Sequence, residues 1–258
     1  MTAAKLFAMI LALMGPAPKD TPGELQLKAG DQIIAMGDSI TAGGGYLRDT
    51  DAVLYQQYPD LKLPKIINVG IGGQKAEDMV SRFDKEVVQK KPQWVTISVG
   101  INDVWHRLGA PHDDAILAKY KANVEKMVDM AQAANIKVII LSPTVIQEDA
   151  AHEGNKRLPM YIDAEKEIAK DKKCQFVDLH HVFLDALKKK PEDVKGNWLT
   201  GDGVHMNEKG DAIMAVGVLR ALGVPDKKIS ASEATPWGVG KKPATKPATK
   251  PAAAAETK

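Results

Sequence analysis

Five short runs of aliphatic and β-branched residues recur along this chain, with stretches of helical period between them. The runs are Gln32–Met36, Lys65–Val69 ("KIINV"), Gln93–Val99 ("QWVTISV"), Lys137–Leu141 ("KVIIL") and Gln175–Leu179. Several lack the apolar–polar alternation of a strand with one wet face, so they read as strands buried on both sides. The intervening stretches carry apolar residues three and four apart. Ala76–Lys90 has Met79, Val80, Phe83, Val87 and Val88, and Ile116–Ala134 has Tyr120, Val124, Met127, Val128 and Ala131. Pro159–Lys170, Val182–Lys189 and Asn207–Leu222 complete the helical series. Strands alternating with helices predict an α/β fold whose parallel sheet is covered on both faces. In such a sheet, ligands bind beyond the carboxyl ends of the strands. The loops to inspect are therefore 37–45, 70–75 and 100–106.

Composition narrows the class. With 44% apolar and 26% charged residues the chain reads as an ordinary globular protein. A net charge of +2 gives no argument for nucleic acid. Residues 241–258 hold five Lys and one Glu, a charge of +4, which leaves −2 for the remainder. The KPAT repeat in this stretch cannot bury apolar surface. Residues 225–258 are expected to form a flexible Lys/Pro/Ala-rich tail whose clustered lysines suit contact with anionic polymers. One cysteine, Cys174, excludes an intrachain disulfide and a multi-cysteine metal site. It lies in a strand-like run and reads as a buried thiol.

At the other end, Lys5 precedes an apolar run from Leu6 to Met14. That run is too short to span a bilayer, and no integral membrane span is expected. It has the length of a signal-peptide core, although no clear A-x-A cleavage site follows. Residues 1–20 are read as signal peptide and connector, which makes this an exported chain, periplasmic or secreted. The competing reading is an N-terminal helix docked on the body. Residues 28–224 remain as one folded domain.

Three of the loops carry groups with chemical potential. In "IAMGDSITAGGGY", Ser39 stands where a strand runs into a glycine-rich turn. A serine hydroxyl is a poor nucleophile unless a general base, itself oriented by a third group, lies within hydrogen-bond reach. The glycines of Gly70-Ile71-Gly72-Gly73 let backbone N–H groups approach a ligand, and the Asn102 amide can supply another donor. An aspartate three residues before a histidine can hold its tautomer. That spacing occurs four times: Asp103–His106, Asp149–His152, Asp178–His181 and Asp202–His205. Asp202–His205 ranks first because glycines flank the aspartate and a helix follows. Asp178–His181 is the serious rival. The Asp149–His152 pair lies in a charged, surface-like stretch.

"GDSIT", "NVGIGG", "GIND" and "DGVHMNEKG" resemble, in order, the four sequence blocks of the SGNH/GDSL-type esterases and lipases. The resemblance spans Ile33 to Leu222. It implies a flavodoxin-like three-layer α/β/α sandwich with a central parallel sheet. It also implies a catalytic set of Ser39 as nucleophile, His205 as base and Asp202 as its orienting acid. Ser39 N–H, Gly73 N–H and the Asn102 amide would form the oxyanion hole. No metal or organic cofactor is required. The expected activity is hydrolysis of carboxylic esters through an acyl-enzyme intermediate, on a small-molecule or carbohydrate ester.

Short acyl groups are favoured because no long apolar insertion builds a fatty-acyl tunnel, and deacetylation of a carbohydrate fits. Trp105 and Trp198 are expected to wall the substrate pocket, and the triplet Gly43–Gly45 to give substrate clearance. A lysophospholipase-like acylhydrolase is the alternative within the family. An alternative of another class is a non-catalytic flavodoxin-like protein binding carbohydrate or phosphate, although no lysine completes a G-x-x-x-x-G-K-[ST] loop.

Overall fold

The structure, a computed structural model, describes residues 2–19 and 21–232. Five parallel strands form one sheet: β1 (Ile33–Gly37), β2 (Ile67–Gly70), β3 (Trp94–Ser98), β4 (Lys137–Leu141) and β5 (Gln175–Val177). Their order is β2-β1-β3-β4-β5. Ile34 pairs with Ile67 on one side and with Val95 on the other. The chain runs outward from β1 to β2, then crosses back to β3. The crevice at this reversal, at the carboxyl ends of β1 and β3, is where a doubly wound sheet binds its ligand.

Side chains alternate through the sheet. Ile33 and Ala35 face one layer, while Ile34 and Met36 face the other. Both β1 and β3 are buried along their whole length, as runs without alternation require. The first layer contains α3 (Gly45–Gln57), α8 (Leu179–Leu187) and α9 (Glu208–Ala221). The second contains α4 (Ala76–Glu86), α6 (Asp114–Ala133) and α7 (Glu153–Lys172). Two single-turn helices, α2 (Ser39–Gly43) and α5 (Ile101–Trp105), begin beyond the ends of β1 and β3. Among the described residues no helix is long and apolar enough to cross a membrane.

Several elements depart from the sequence-based expectation. Strand β5 stops at Val177 because the Asp178 side chain caps α8, accepting the His181 N–H at 3.2 Å. Helix α7 begins at Glu153, well before Pro159, and keeps that proline inside. The buried Asn155 ties this first turn to the preceding loop: its amide bonds the Ile146 N–H and C=O, both at 2.8 Å. Of the glycine triplet expected to give substrate clearance, only Gly43 has open space beside it, while Gly44 and Gly45 are packed against neighbours. Gly44 is left-handed (φ 68°) and joins α2 to α3. A β-carbon on Gly45 would collide with the Asp211 carboxylate of α9.

Both described chain ends pack against the first layer. Residues Ala3–Met14 form a helix, α1, whose Leu6, Phe7 and Ile10 are buried in the first layer. Lys189 Nζ donates to Leu13 O and Arg220 to Gly15 O, both at 2.7 Å, so cations meet the helix's C-terminal carbonyls. The tail expected from residue 225 is corrected at its start. Asp226–Ser230 forms a short helix, α10, with Ile229 buried, and Arg220 holds Asp226 through two hydrogen bonds of 2.8–2.9 Å. The KPAT repeat lies outside the described residues.

Candidate active site

Ser39 is the first residue of α2, so its N–H has no acceptor within the helix. The helix is pressed onto the ends of two strands. A β-carbon on Gly70 would sit 2.3 Å from Ala42 N, so only glycine allows this approach. Three further residues hold α2. Buried Asp38 caps it by accepting the Ile40 N–H at 2.9 Å, and burial pushes the Asp38 carboxyl up to about 6. Asn68 on β2 donates to Thr41 O at 2.6 Å. Arg48 donates to Gly43 O at 2.8 Å.

The loop after β2 lies alongside. A β-carbon on Gly72 would be 3.7 Å from Ser39 Cβ, and one on Gly73 would be 4.0 Å from His106 Cε1. Asn102, 3% exposed in the first turn of α5, donates one amide hydrogen to Gln74 O at 3.0 Å. The amide has a second hydrogen, which this bond leaves free. Arg82 of α4 braces the same region. It donates to Val69 O at 2.7 Å, Gly37 O at 3.3 Å and Gln74 Oε1 at 2.7 Å, and pairs with Glu86.

From the far side comes the loop 198–207. Within it, Gly201 N–H bonds His205 O at 2.8 Å and Thr200 bridges Met206, which folds Asp202–His205 into a projecting turn. His205 Nδ1 is 2.6 Å from Asp202 Oδ2, and His205 Nε2 is 2.9 Å from Ser39 Oγ. With Nδ1–H donated to the carboxylate, Nε2 is left to accept the serine proton. For Asp202, burial pushes the carboxyl up. Hydrogen bonds from the His205 ring and from the backbone N–H groups of His205 and Val204 outweigh that and hold it down at about 2. The turn is open to solvent: the side chains of His205 and Asp202 are 44% and 54% exposed.

Geometry separates the four Asp–His spacings. Asp178–His181 is a genuine pair at 2.8 Å, but Asp178 also holds Lys166, and no serine meets His181. Asp103 instead accepts the Ala76 N–H. His152 caps α7, accepting the Gly154 N–H at 3.1 Å. Only His205 reaches Ser39.

Of the two expected wall residues, Trp105 is half-buried at the end of α5. Trp198 requires correction: it is 5% exposed and packed in the first-layer core, so little of its ring can meet a substrate. The Gly70–Gly73 loop carries an exposed apolar side chain, Ile71, at 43%. A cavity of about 370 Å³ opens at the opposite, amino ends of β3–β5, lined by Trp94, Lys137 and Cys174. It is far from this chemistry. Cys174 is half-buried rather than buried, and desolvation pushes its thiol up to about 11.

Asn68, Arg82 and Glu148 support the site but were not singled out from the sequence. Asn68 had a signal, standing two residues before Gly70 at a strand end. Glu148 had none, being one acid in a charged stretch.

A serine, an imidazole and a carboxylate in series, set where a 2-1-3-4-5 parallel sheet reverses, define a serine hydrolase of the flavodoxin-like class. The chain belongs to the GDSL-like lipase/acylhydrolase family, whose model matches residues 35–213. It is similar to an acetylxylan esterase of Geobacillus stearothermophilus, 27% identical over 217 residues that cover 77% of this chain and 97% of the relative. It is also similar to an arylesterase of Vibrio mimicus, 23% identical and covering 76% and 90%. The solved structure of the acetylxylan esterase superposes with a TM-score of 0.69 over 78% of this chain and 98% of that one, at 27% identity.

Proposed function

We propose that this protein is a serine esterase that removes short acyl groups, acetyl above all, from carbohydrate hydroxyls. The observation that carries the reading is the 2.9 Å approach of His205 Nε2 to Ser39 Oγ, with Asp202 behind the ring. Ser39 Oγ attacks the ester carbonyl while Nε2 takes its proton. The Ser39 N–H at the start of α2, the Gly73 N–H and the free Asn102 hydrogen receive the negative oxygen. The tetrahedral intermediate collapses: the C–O bond to the alcohol breaks, and His205 returns the proton to that oxygen. Water, deprotonated by the same nitrogen, then releases the acid and regenerates Ser39. Asp202, held down at about 2, stays ionised through the neutral range and balances the imidazolium.

The acetylxylan esterase relative supports the acetyl–carbohydrate reading, and the exposed turn suits an ester on a large alcohol. Nothing observed favours the lysophospholipase-like alternative. Fluorophosphonate labelling of wild type, Ser39→Ala and His205→Ala, with rates on acetyl and long-chain p-nitrophenyl esters and on acetylated xylo-oligosaccharides, tests both parts. Label is expected on wild type and not on Ser39→Ala, with acetyl esters preferred. Full labelling of Ser39→Ala would remove the nucleophile, and a preference for long chains would remove the acetyl assignment.

We also infer export, on the strength of Lys5 followed by the apolar run Leu6–Met14. Mass spectrometry of fractionated cells is the measurement. A shortened N-terminus in the exported fraction is expected, and intact Met1 confined to the cytosol would defeat the idea.

A further inference from the structure

Glu148 lies in the connection between β4 and α7, on a different element from every member of the triad. Its carboxylate accepts four hydrogen bonds from three consecutive residues. Oε2 takes the Trp198 N–H at 2.6 Å. Oε1 takes the Leu199 N–H at 2.7 Å, the Thr200 N–H at 2.6 Å and the Thr200 hydroxyl at 2.8 Å. The Thr200 oxygen in turn accepts the Gly203 N–H at 3.0 Å, inside the turn that carries Asp202 and His205. The neighbour Gln147 fills the space beside Gly203. At the loop's other end, Asn207 donates to Trp198 O at 3.0 Å and Thr200 O at 3.2 Å.

Hydrogen bonds to an ionised acceptor are roughly twice as strong as neutral ones. Here they fall on a segment that joins no strand of the sheet and leads directly into the reactive turn. Its last residue, Thr200, stands two positions before Asp202.

We propose that Glu148 is a positioning residue of the reaction, fixing the height and tilt of the Asp202–His205 turn over Ser39. The inference rests on the assignment of Ser39, His205 and Asp202 above. Glu148 touches no reacting atom and acts through the loop. A displacement of about 1 Å at a reacting group can cost on the order of 10² in rate.

Glu148→Ala and Glu148→Gln, assayed on an acetyl ester, test the idea. In both, kcat is expected to fall about 10²-fold with KM little changed and the thermal unfolding transition still cooperative. Formate in excess, a carboxylate small enough for the vacated space, should restore part of the kcat of Glu148→Ala. It should do nothing for Glu148→Gln, whose amide fills that space and turns an N–H₂ toward N–H donors. Wild-type kcat in either variant would overturn the proposal, and so would a loss in Glu148→Ala that formate leaves untouched. Should Glu148→Ala fail to fold, Glu148→Gln decides alone by its kcat. Unfolding of both would assign Glu148 to folding and likewise overturn the proposal. Labelling separates the two levels: equal label on wild type and Ser39→Ala defeats the triad itself. Ser39-dependent label with wild-type kcat in the Glu148 variants defeats only the positioning role.

Discussion

Ser39 and Asn102 project from single-turn helices that start at the ends of β1 and β3, whereas Asp202 and His205 project from a loop that joins no strand of the sheet. The first pair inherits its position from the ladder itself. Gly37 of β1 is in register with Gly70 of β2 and Ser98 of β3, so the bases of both turns are fixed by backbone pairing. Arg82 and Asn68 add side-chain ties to Val69 O and Thr41 O. The second pair has no ladder beneath it. Its ties are the burial of Trp198 and Leu199 in the first-layer core and side-chain hydrogen bonds with Glu148 at one end and Asn207 at the other. One half of the site is held through the sheet, and the other through core packing and a few side-chain hydrogen bonds. Losing one side chain therefore costs the two halves differently.

The comparison can be pressed hardest at Asp202. Asp202→Asn keeps the shape of the turn but no longer holds Nδ1–H, so the wrong tautomer faces Ser39. A fall in kcat of about 10⁴ is expected in steady-state hydrolysis. A fall of tenfold or less would mean that the loop alone orients the ring. The Glu148 variants come next, at about 10², and sharpen the point because the lost contacts lie away from the chemistry.

The smallest effect on rate is expected behind the nucleophile. Asp49 of α3 is 1% exposed, and neither of its carboxylate oxygens has a hydrogen-bond partner. Burial first, then the neighbouring Asp211, pushes it up to about 7. A carboxyl raised in the folded state favours folding while protonated. Its contribution is complete below the ordinary carboxylate range and is lost as pH rises through about 7. Wild type should therefore lose on the order of 3–4 kcal/mol from this group between pH about 4 and about 8. Asp49→Asn should flatten that slope in urea titrations and leave kcat near wild type. An unchanged slope would show that Asp49 is ionised in the folded state without penalty.

The sheet was legible because strands buried on both faces must be apolar throughout. β1 and β3 therefore announce themselves to within a residue, and Lys137–Leu141 coincides with β4. The start of α7 was not legible. Pro159 reads locally as a helix opening, while the stabilising partner of the earlier turn, Asn155 on Ile146, is tertiary. Trp198 reads as a sugar platform beside Asp202, yet its ring packs into the core because the loop enters from the α9 layer. The glycine triplet reads as open space, which holds at Gly43, whereas the space beside Gly45 is taken by the Asp211 carboxylate of α9.

Sequence alone determined the parallel α/β sheet, the serine at the end of its first strand and the family to which the four blocks belong. Periodicity and local turn chemistry act over a few residues and can be read one window at a time. That the Asp202–His205 pair implied by the resemblance reaches Ser39, and that Glu148 holds the loop which brings it there, only the tertiary structure showed. Those facts depend on distances between residues 50 to 166 positions apart, which no local pattern encodes.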